Sequence, residues 1–296
     1  MTTLRLACAQ YPIGQFTAFS DWQEHVSGWV ARAVKDGGAQ LLLFPEYGAM
    51  ELTSLLPPPL QRDLTGQIAA LQQFHEAFVA TWRDLARQHG VYISAPTLPV
   101  AVGAQFHNRA YVFSPEGGTG WQEKRQMTRF ERESWTIAGG PELKVFDAPF
   151  GRFAISICYD IEFPLIARAL SEAGADLILV PSCTDTLAGA HRVQVGARAR
   201  ALENQIYVAT SPTVGDVEWS PAVDVNTGWA SVLSTPDRGF PDDGVIAKGE
   251  LNRPGWIHAS LDFDLLRRAR EDSQVFTRRD WSSQDRPSLG VTAEKL

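Results

Sequence analysis

Three segments of this sequence carry residue types that could do chemistry together. Leu41-Leu-Leu-Phe-Pro-Glu46-Tyr47 sets a carboxylate at the carboxyl end of an apolar strand, the place where open α/β sheets present their ligands. Phe153-Ala-Ile-Ser-Ile-Cys158-Tyr159-Asp160 closes another strand on a cysteine, and a helix is predicted to begin near Phe163-Pro164. A thiol at such an elbow projects into a cleft, where a helix end and nearby cations are expected to lower its pKa. The third segment runs from Glu123-Lys124-Arg125 through Arg129, Glu131, Arg132 and Glu133 to Trp135. Met127, Phe130 and Trp135 should hold part of that charged run against the protein.

Each segment alone also has an ordinary reading. Glu46 fits a solvated loop, Cys158 an inert core thiol, and the charged run an exposed face. Together they supply the parts of acyl transfer through a thiol. A thiol with a pKa of about 8.5 is barely ionised at neutral pH, so it needs a base, and a partly desolvated Glu46 suits that task. Lys124, with the backbone N–H after the nucleophile, can stabilise the oxyanion formed on attack.

The elements that must position these residues read as alternating short apolar runs and amphipathic stretches. Leu4 to Ala9 and Gln40 to Phe44 read as buried strands. Between them Trp22, Val26, Trp29, Val30 and Ala33 mark one helix face, so strand, helix, strand suggests a parallel crossover. Leu64, Ile68, Leu71, His75, Phe78, Trp82 and Leu85 predict one long helix closed by His89-Gly90. Further strands are expected at 91–95, 110–113, 144–146, 153–157, 177–180 and 206–209, with helices at 163–173 and 194–203. The last third offers strands at 230–234, 245–248 and 256–260. Residues 212–228 read as a long polar loop that could shape a site, and the tail from Arg267 reads as an exposed arm. An α/β layered sandwich follows.

The chain has 296 residues and a net charge of −7, which argues against a nucleic-acid partner. With 44% hydrophobic and 21% charged residues the composition is that of an ordinary globular protein. Cys8, Cys158 and Cys183 contain no C-x-x-C pair, which argues against a disulfide framework or zinc ribbon and for free thiols in a reducing compartment. No apolar run approaches the roughly 18 residues a membrane span needs, and no leader pattern opens the chain, so a soluble cytoplasmic protein is expected.

At these motifs the sequence resembles the nitrilase superfamily of carbon–nitrogen hydrolases, from Leu4 to about Ser260. The opening strand with Cys8-Ala-Gln10, Phe44-Pro-Glu46, Lys124 with Glu131-Arg132 and Trp135, and Ile157-Cys158-Tyr159-Asp160 with Phe163-Pro164 and Arg168 all match in order. So do the strand Gly174 to Ser182 and the segment Arg198 to Asn204. The resemblance implies a four-layer αββα sandwich over residues 1–296, with residues 262–296 an arm at a subunit interface of a homodimer or larger homo-oligomer. It implies Glu46 as general base, Lys124 as oxyanion stabiliser, Cys158 as nucleophile and Glu131 as the carboxylate orienting the lysine. Glu133 competes for that last role, and Glu131 is preferred for its spacing from Lys124. The segment Phe44 to Leu52 is similar to a branch sometimes fused to an N-acetyltransferase domain.

The expected reaction is hydrolysis of a small amide or carbamoyl amine through a Cys158 acyl-enzyme, with the Tyr159 N–H on the oxyanion and no metal or organic cofactor. Nitrile hydrolysis and acyl or ammonia transfer use the same groups, and a catalytically silent interaction protein and a Cys158–Cys183 redox sensor are the readings from other classes. Tyr47, Cys183 and Thr184 are candidate substrate-binding residues, with Asp185, His191 and the loop ending at Gly228 as further determinants. The run after Lys124 reads Arg-Gln-Met-Thr where many amidases of the family have His-Leu, so the pocket edge is expected to differ.

Overall fold

Successive side chains of the strand Thr3–Pro12 enter two different cores. Leu4, Leu6 and Cys8 join one hydrophobic cluster, and Ala7, Ala9 and Tyr11 join the other, as the period of two in a pleated strand dictates. The computed structural model describes residues 3–284 and 289–295, and in it Leu41–Leu43 divides in the same way. A strand buried on both faces needs apolar residues at every position, which explains the unbroken apolar runs.

Two sheets result. The first orders Leu98–Val102, Gln105–Phe113, Tyr92–Ser94, Leu41–Leu43 and Thr3–Pro12, with Gly255–Asp262 antiparallel to the last. The second orders Val145–Ala148, Gly151–Ile155, Leu177–Ser182 and Tyr207–Asp216, followed by Ser231–Leu233 and Val245–Lys248. They join where Tyr11 and Pro12 pair in parallel with Thr213 and Val214. The buried Gln10 reinforces the junction: its amide donates to the carbonyls of Glu250 (2.7 Å) and Arg253 (2.6 Å) and accepts from Ala230 N (3.1 Å). Because the joined strands run parallel, the carboxyl ends of the central strands of both sheets open at one edge.

Helices cover the outer faces. Phe19–Gly37 buries Trp22, Val26, Trp29, Val30 and Ala33, the stripe expected from the sequence, and ends on Gly38 at φ 57°. His75–His89 packs beside it through Phe78 and Trp82. On the other sheet lie Pro164–Glu172 and Leu187–Asn204, whose Ile166, Leu170, Val193 and Ala197 belong to the cluster reaching through that sheet. The order helix, sheet, sheet, helix is the expected αββα sandwich.

Several local expectations differ. The stripe from Leu64 to Leu85 is not one helix but Gly66–Leu71, a 3₁₀ turn at Gln72–Phe74 and His75–His89. At the break the Gln72 amide bridges to the edge strand, donating to Pro99 O and accepting from Ala101 N. The polar loop is shortened because Tyr207–Asp216 runs into it and pairs with Val225–Asn226. The tail from Arg267 is largely exposed, as expected, but it is anchored at several points. Phe263–Glu271 is a helix with Phe263, Leu266 and Ala269 buried, and Arg278 donates to Ser171 and Asn204. Residues 285–288 and 296 of the expected arm lie outside the described residues.

The 3₁₀ helix Gly48–Leu55, directly after Glu46-Tyr47, is anchored by the fully buried Glu51. Its carboxyl accepts from Tyr11 OH (2.9 Å), Trp22 Nε1 (2.7 Å) and Gly14 N (3.1 Å), while burial pushes its pKa up to about 8. Glu51→Ala orphans two buried donors, Tyr11 and Trp22, worth roughly 1–3 kcal/mol each, and the part-buried Gly14 N–H. Urea unfolding should therefore show a loss of about 3 kcal/mol or more. A loss below about 1 kcal/mol would mean that Glu51 does not hold this turn.

Candidate active site

Glu46, Lys124 and Cys158 each follow a strand, and the common opening of the two sheets brings them together. Glu46 stands beyond Leu41–Leu43, Lys124 beyond Thr119–Glu123, and Cys158 beyond Gly151–Ile155. Lys124 is the centre of the cluster at 1% exposure, its Nζ 2.7 Å from Glu46 Oε1 and 2.7 Å from Glu131 Oε2. Glu131 sits in the short helix Arg129–Glu133, where Thr128 and Glu131 form a reciprocal capping box. Glu131 Oε2 also accepts from Thr128 N and Oγ1, both at 2.8 Å. Glu133 points the other way, exposed and paired with Arg129 at 2.8 Å.

The nucleophile segment is held from two sides. Cys158 opens a 3₁₀ turn, Cys158–Glu162, at φ 48°, a left-handed conformation that costs a non-glycine residue about 1–3 kcal/mol. Asp160 in that turn is buried and accepts from Arg125 N (3.0 Å) and Gln126 N (2.7 Å), tying the turn to the lysine segment. Behind it the helix Leu187–Asn204 comes so close at Gly196 that a Cβ there would meet Ile161 O at 3.0 Å.

Electrostatics distinguish the groups. Burial raises Glu46 to about 7; the Lys124 ammonium opposes that shift and the Glu131 charge adds to it. Burial would raise Glu131 too, but Lys124 and the Tyr47 and Thr128 hydrogen bonds hold it below the usual carboxylate range. Burial works against the Lys124 charge, yet the two glutamates keep it firmly protonated. The Cys158 thiol, expected to be acidified, is instead pushed well up, first by burial and then by the charge of Glu46. The nearest cation is already engaged by two carboxylates, and the turn after Cys158 is a short 3₁₀ element rather than a full helix end. Nucleophilicity must therefore come from proton transfer, not from a resting thiolate.

A cavity of about 490 Å³ opens over these groups, and Glu46, Lys124, Glu131, Cys158 and Tyr159 line it. Tyr47, Cys183 and Thr184 line it as well, with Asp185 and, from the polar loop, Pro221, Ala222, Asp224 and Val225. His191 is not among the lining residues; its ring packs on Trp229 instead. The Tyr47 hydroxyl is already spent on Glu131 Oε1 at 2.6 Å, so this side chain offers the cavity its ring rather than a free donor. Thr184 Oγ1 donates to Thr227 O at 2.6 Å. Cys183 places its backbone N–H 3.0 Å from Glu46 Oε2 and its carbonyl 3.7 Å from Cys158 Sγ. Burial pushes its own thiol up to about 12.

Two residues of the site do not stand out in the sequence: Asn108, whose Nδ2 is 2.8 Å from Glu46 Oε1, and Asp160. Their signal was slight: a polar residue inside a strand and an acid two positions after the cysteine.

The double-sheet architecture with this opening is that of the nitrilase superfamily. Nit3 of Saccharomyces cerevisiae superposes with a TM-score of 0.73 at 21% identity, over 91% of this chain and 93% of that one. The sequence profile of the carbon-nitrogen hydrolase family matches residues 5–240, and the chain belongs to that family of enzymes. Among its relatives is the probable hydrolase YhcX of Bacillus subtilis, 31% identical over 272 residues and 92% of this chain. The chain spans 52% of the length of YhcX. Omega-amidase NIT2-B of Xenopus laevis is 28% identical over 267 residues, 87% of each chain.

Proposed function

We propose that the protein hydrolyses the carbon–nitrogen bond of a small amide or carbamoyl amine through a Cys158 acyl-enzyme. The observation that carries this reading is the buried chain Cys158, Glu46, Lys124, Glu131, open to one cavity. The likeness to an omega-amidase supports an amide over a nitrile.

Cys158 Sγ adds to the carbonyl carbon while its proton passes to Glu46. Negative charge thereby leaves Glu46 and appears on the substrate oxygen. Lys124 lies beside the carboxylate that gives up the charge, so one fixed ammonium stabilises both ends of the shift without reorganising. The Tyr159 backbone N–H is the second oxyanion donor. Glu46 returns the proton to the leaving nitrogen, the C–N bond breaks and ammonia or an amine departs. Water then attacks the thioester, gives a proton to Glu46, and the C–S bond breaks to restore the thiol. Glu131 holds Lys124 in place, and Tyr47, Cys183 and Thr184 form the wall nearest the substrate.

A panel of amides, carbamoyl amines and nitriles scored by ammonia release tests this, and turnover of nitriles alone would contradict it. Glu46 must be ionised to act, so kcat/KM should rise with pH through a limb near its value of about 7. A rate constant between pH 5 and 8 would remove Glu46 as the base. Competing amines in the assay separate hydrolysis from acyl transfer.

The whole chain is proposed to work as one catalytic domain, in the cytoplasm and as a homo-oligomer. Among the described residues no helix is long and apolar enough to cross a membrane. Leu165 and Val195 are 73% and 65% exposed on the two adjacent outer helices, an apolar face suited to a second copy. Light scattering of the purified chain tests the association.

A further inference from the structure

We propose that Asn108 is a positioning residue that dedicates one oxygen of Glu46, Oε2, to the proton of Cys158. Asn108 lies within Gln105–Phe113 and is completely buried, and it is not among the residues lining the cavity. Its Nδ2 donates to Glu46 Oε1 at 2.8 Å and reaches Glu131 Oε1 at 3.5 Å. Lys124 Nζ donates to the same Glu46 Oε1 at 2.7 Å. A carboxylate oxygen has two lone-pair sites, so these two donors fill Oε1. Oε2 carries the Cys183 N–H at 3.0 Å and keeps its second site. The Cys158 thiol donates to the Cys183 carbonyl at 3.7 Å, the same residue whose N–H holds Oε2, which places the thiol beside the Oε2 end of the carboxylate.

The side-chain amide is oriented by its surroundings. Turned over, it would set Oδ1 against two carboxylates. As placed, Oδ1 is buried with no hydrogen-bond partner among the described residues, an arrangement that ordinarily destabilises a fold. A strand position filled only for packing would carry an apolar residue and avoid that penalty. What Asn108 contributes is a neutral donor between two carboxylates. It supports the ionised form of Glu46 without adding a second cation that would compete with Lys124 for the oxyanion.

The proposal rests on Glu46 being the base, so its test uses two readouts. The first is the pH dependence of Cys158 alkylation by iodoacetamide, which needs no substrate; the second is kcat and KM on the best amide. Removing a donor from a buried carboxylate favours its neutral form. Asn108→Ala and Asn108→Asp should therefore move the acid limb of alkylation upward by about one pH unit, more in the aspartate variant. Each should lower kcat at neutral pH about fivefold or more, with KM within threefold because Asn108 lies outside the cavity wall. If the alanine variant does not fold, Asn108→Ser retains a shorter donor and must shift the limb in the same direction. A wild-type alkylation profile with no limb near neutrality removes Glu46 as base and the proposal with it. A wild-type limb that stays put in folded variants overturns the role of Asn108 alone. A raised KM with unchanged kcat would make Asn108 a substrate contact and also overturn it.

Discussion

Cys158→Ala is expected to lower amide turnover by about 10⁴-fold or more while leaving the protein folded. The loss is large because no other group in the site can form the acyl bond. Cys183 is the nearby thiol, but burial pushes it up to about 12, and only its backbone N–H reaches Glu46. The fold should tolerate the change, since alanine removes one sulfur and the left-handed backbone at residue 158 is retained. A thermal shift of a few degrees is consistent with a stability loss of about 1 kcal/mol. The matching control is Cys183→Ala, which keeps the N–H on Glu46 and should retain activity within severalfold. Comparable losses in both variants would mean that the two thiols act as a unit.

The second large effect is expected at Lys124. Lys124→Met keeps the length of the side chain and deletes the charge, leaving the buried Glu46 and Glu131 together without a cation between them. Turnover should fall by about 10³-fold, the scale of losing a principal oxyanion donor. Stability should fall by about 3–5 kcal/mol, because one partner of a buried ionic group is removed. The two carboxylates can then relieve their repulsion only by taking up protons. Their folded pKa values rise above the unfolded value near 4.5, so the unfolded state binds fewer protons between those values. Stability is accordingly lost as pH rises through that window. Urea unfolding at pH 5 and pH 8 should show a larger deficit for Lys124→Met at pH 8. Adding Glu131→Gln should recover part of the stability and none of the activity. A deficit independent of pH would mean that the two carboxylates do not depend on Lys124.

Much of the fold can be read from the apolar runs, because strands buried on both faces cannot hide their composition. Leu41 to Leu43 and Leu177 to Val180 are such strands, and the helix face of Trp22, Val26, Trp29, Val30 and Ala33 matches residue for residue. Glu46, Lys124 and Cys158 could be singled out because chemistry-bearing residues at strand ends break the apolar pattern. Asn108 could not: its importance comes from a partner 62 positions away, and a polar residue in a strand has many ordinary explanations. The direction of the Cys158 shift is hidden in the sequence for a related reason. The sequence displays cations near the thiol, whereas the structure commits Lys124 to two carboxylates. The start of the tail was hidden by composition, since the arginines around Leu266 and Ala269 conceal a helix face that packs.

The central claim is that substrate carbon becomes bonded to Cys158. Rapid acid quench of the enzyme during turnover of its best amide, followed by peptide mass spectrometry, tests it most directly. The peptide containing Cys158 should carry the mass of the substrate less ammonia, and the adduct should be absent from Cys158→Ala. Turnover with no adduct, or with the acyl group on Cys183, would contradict the account.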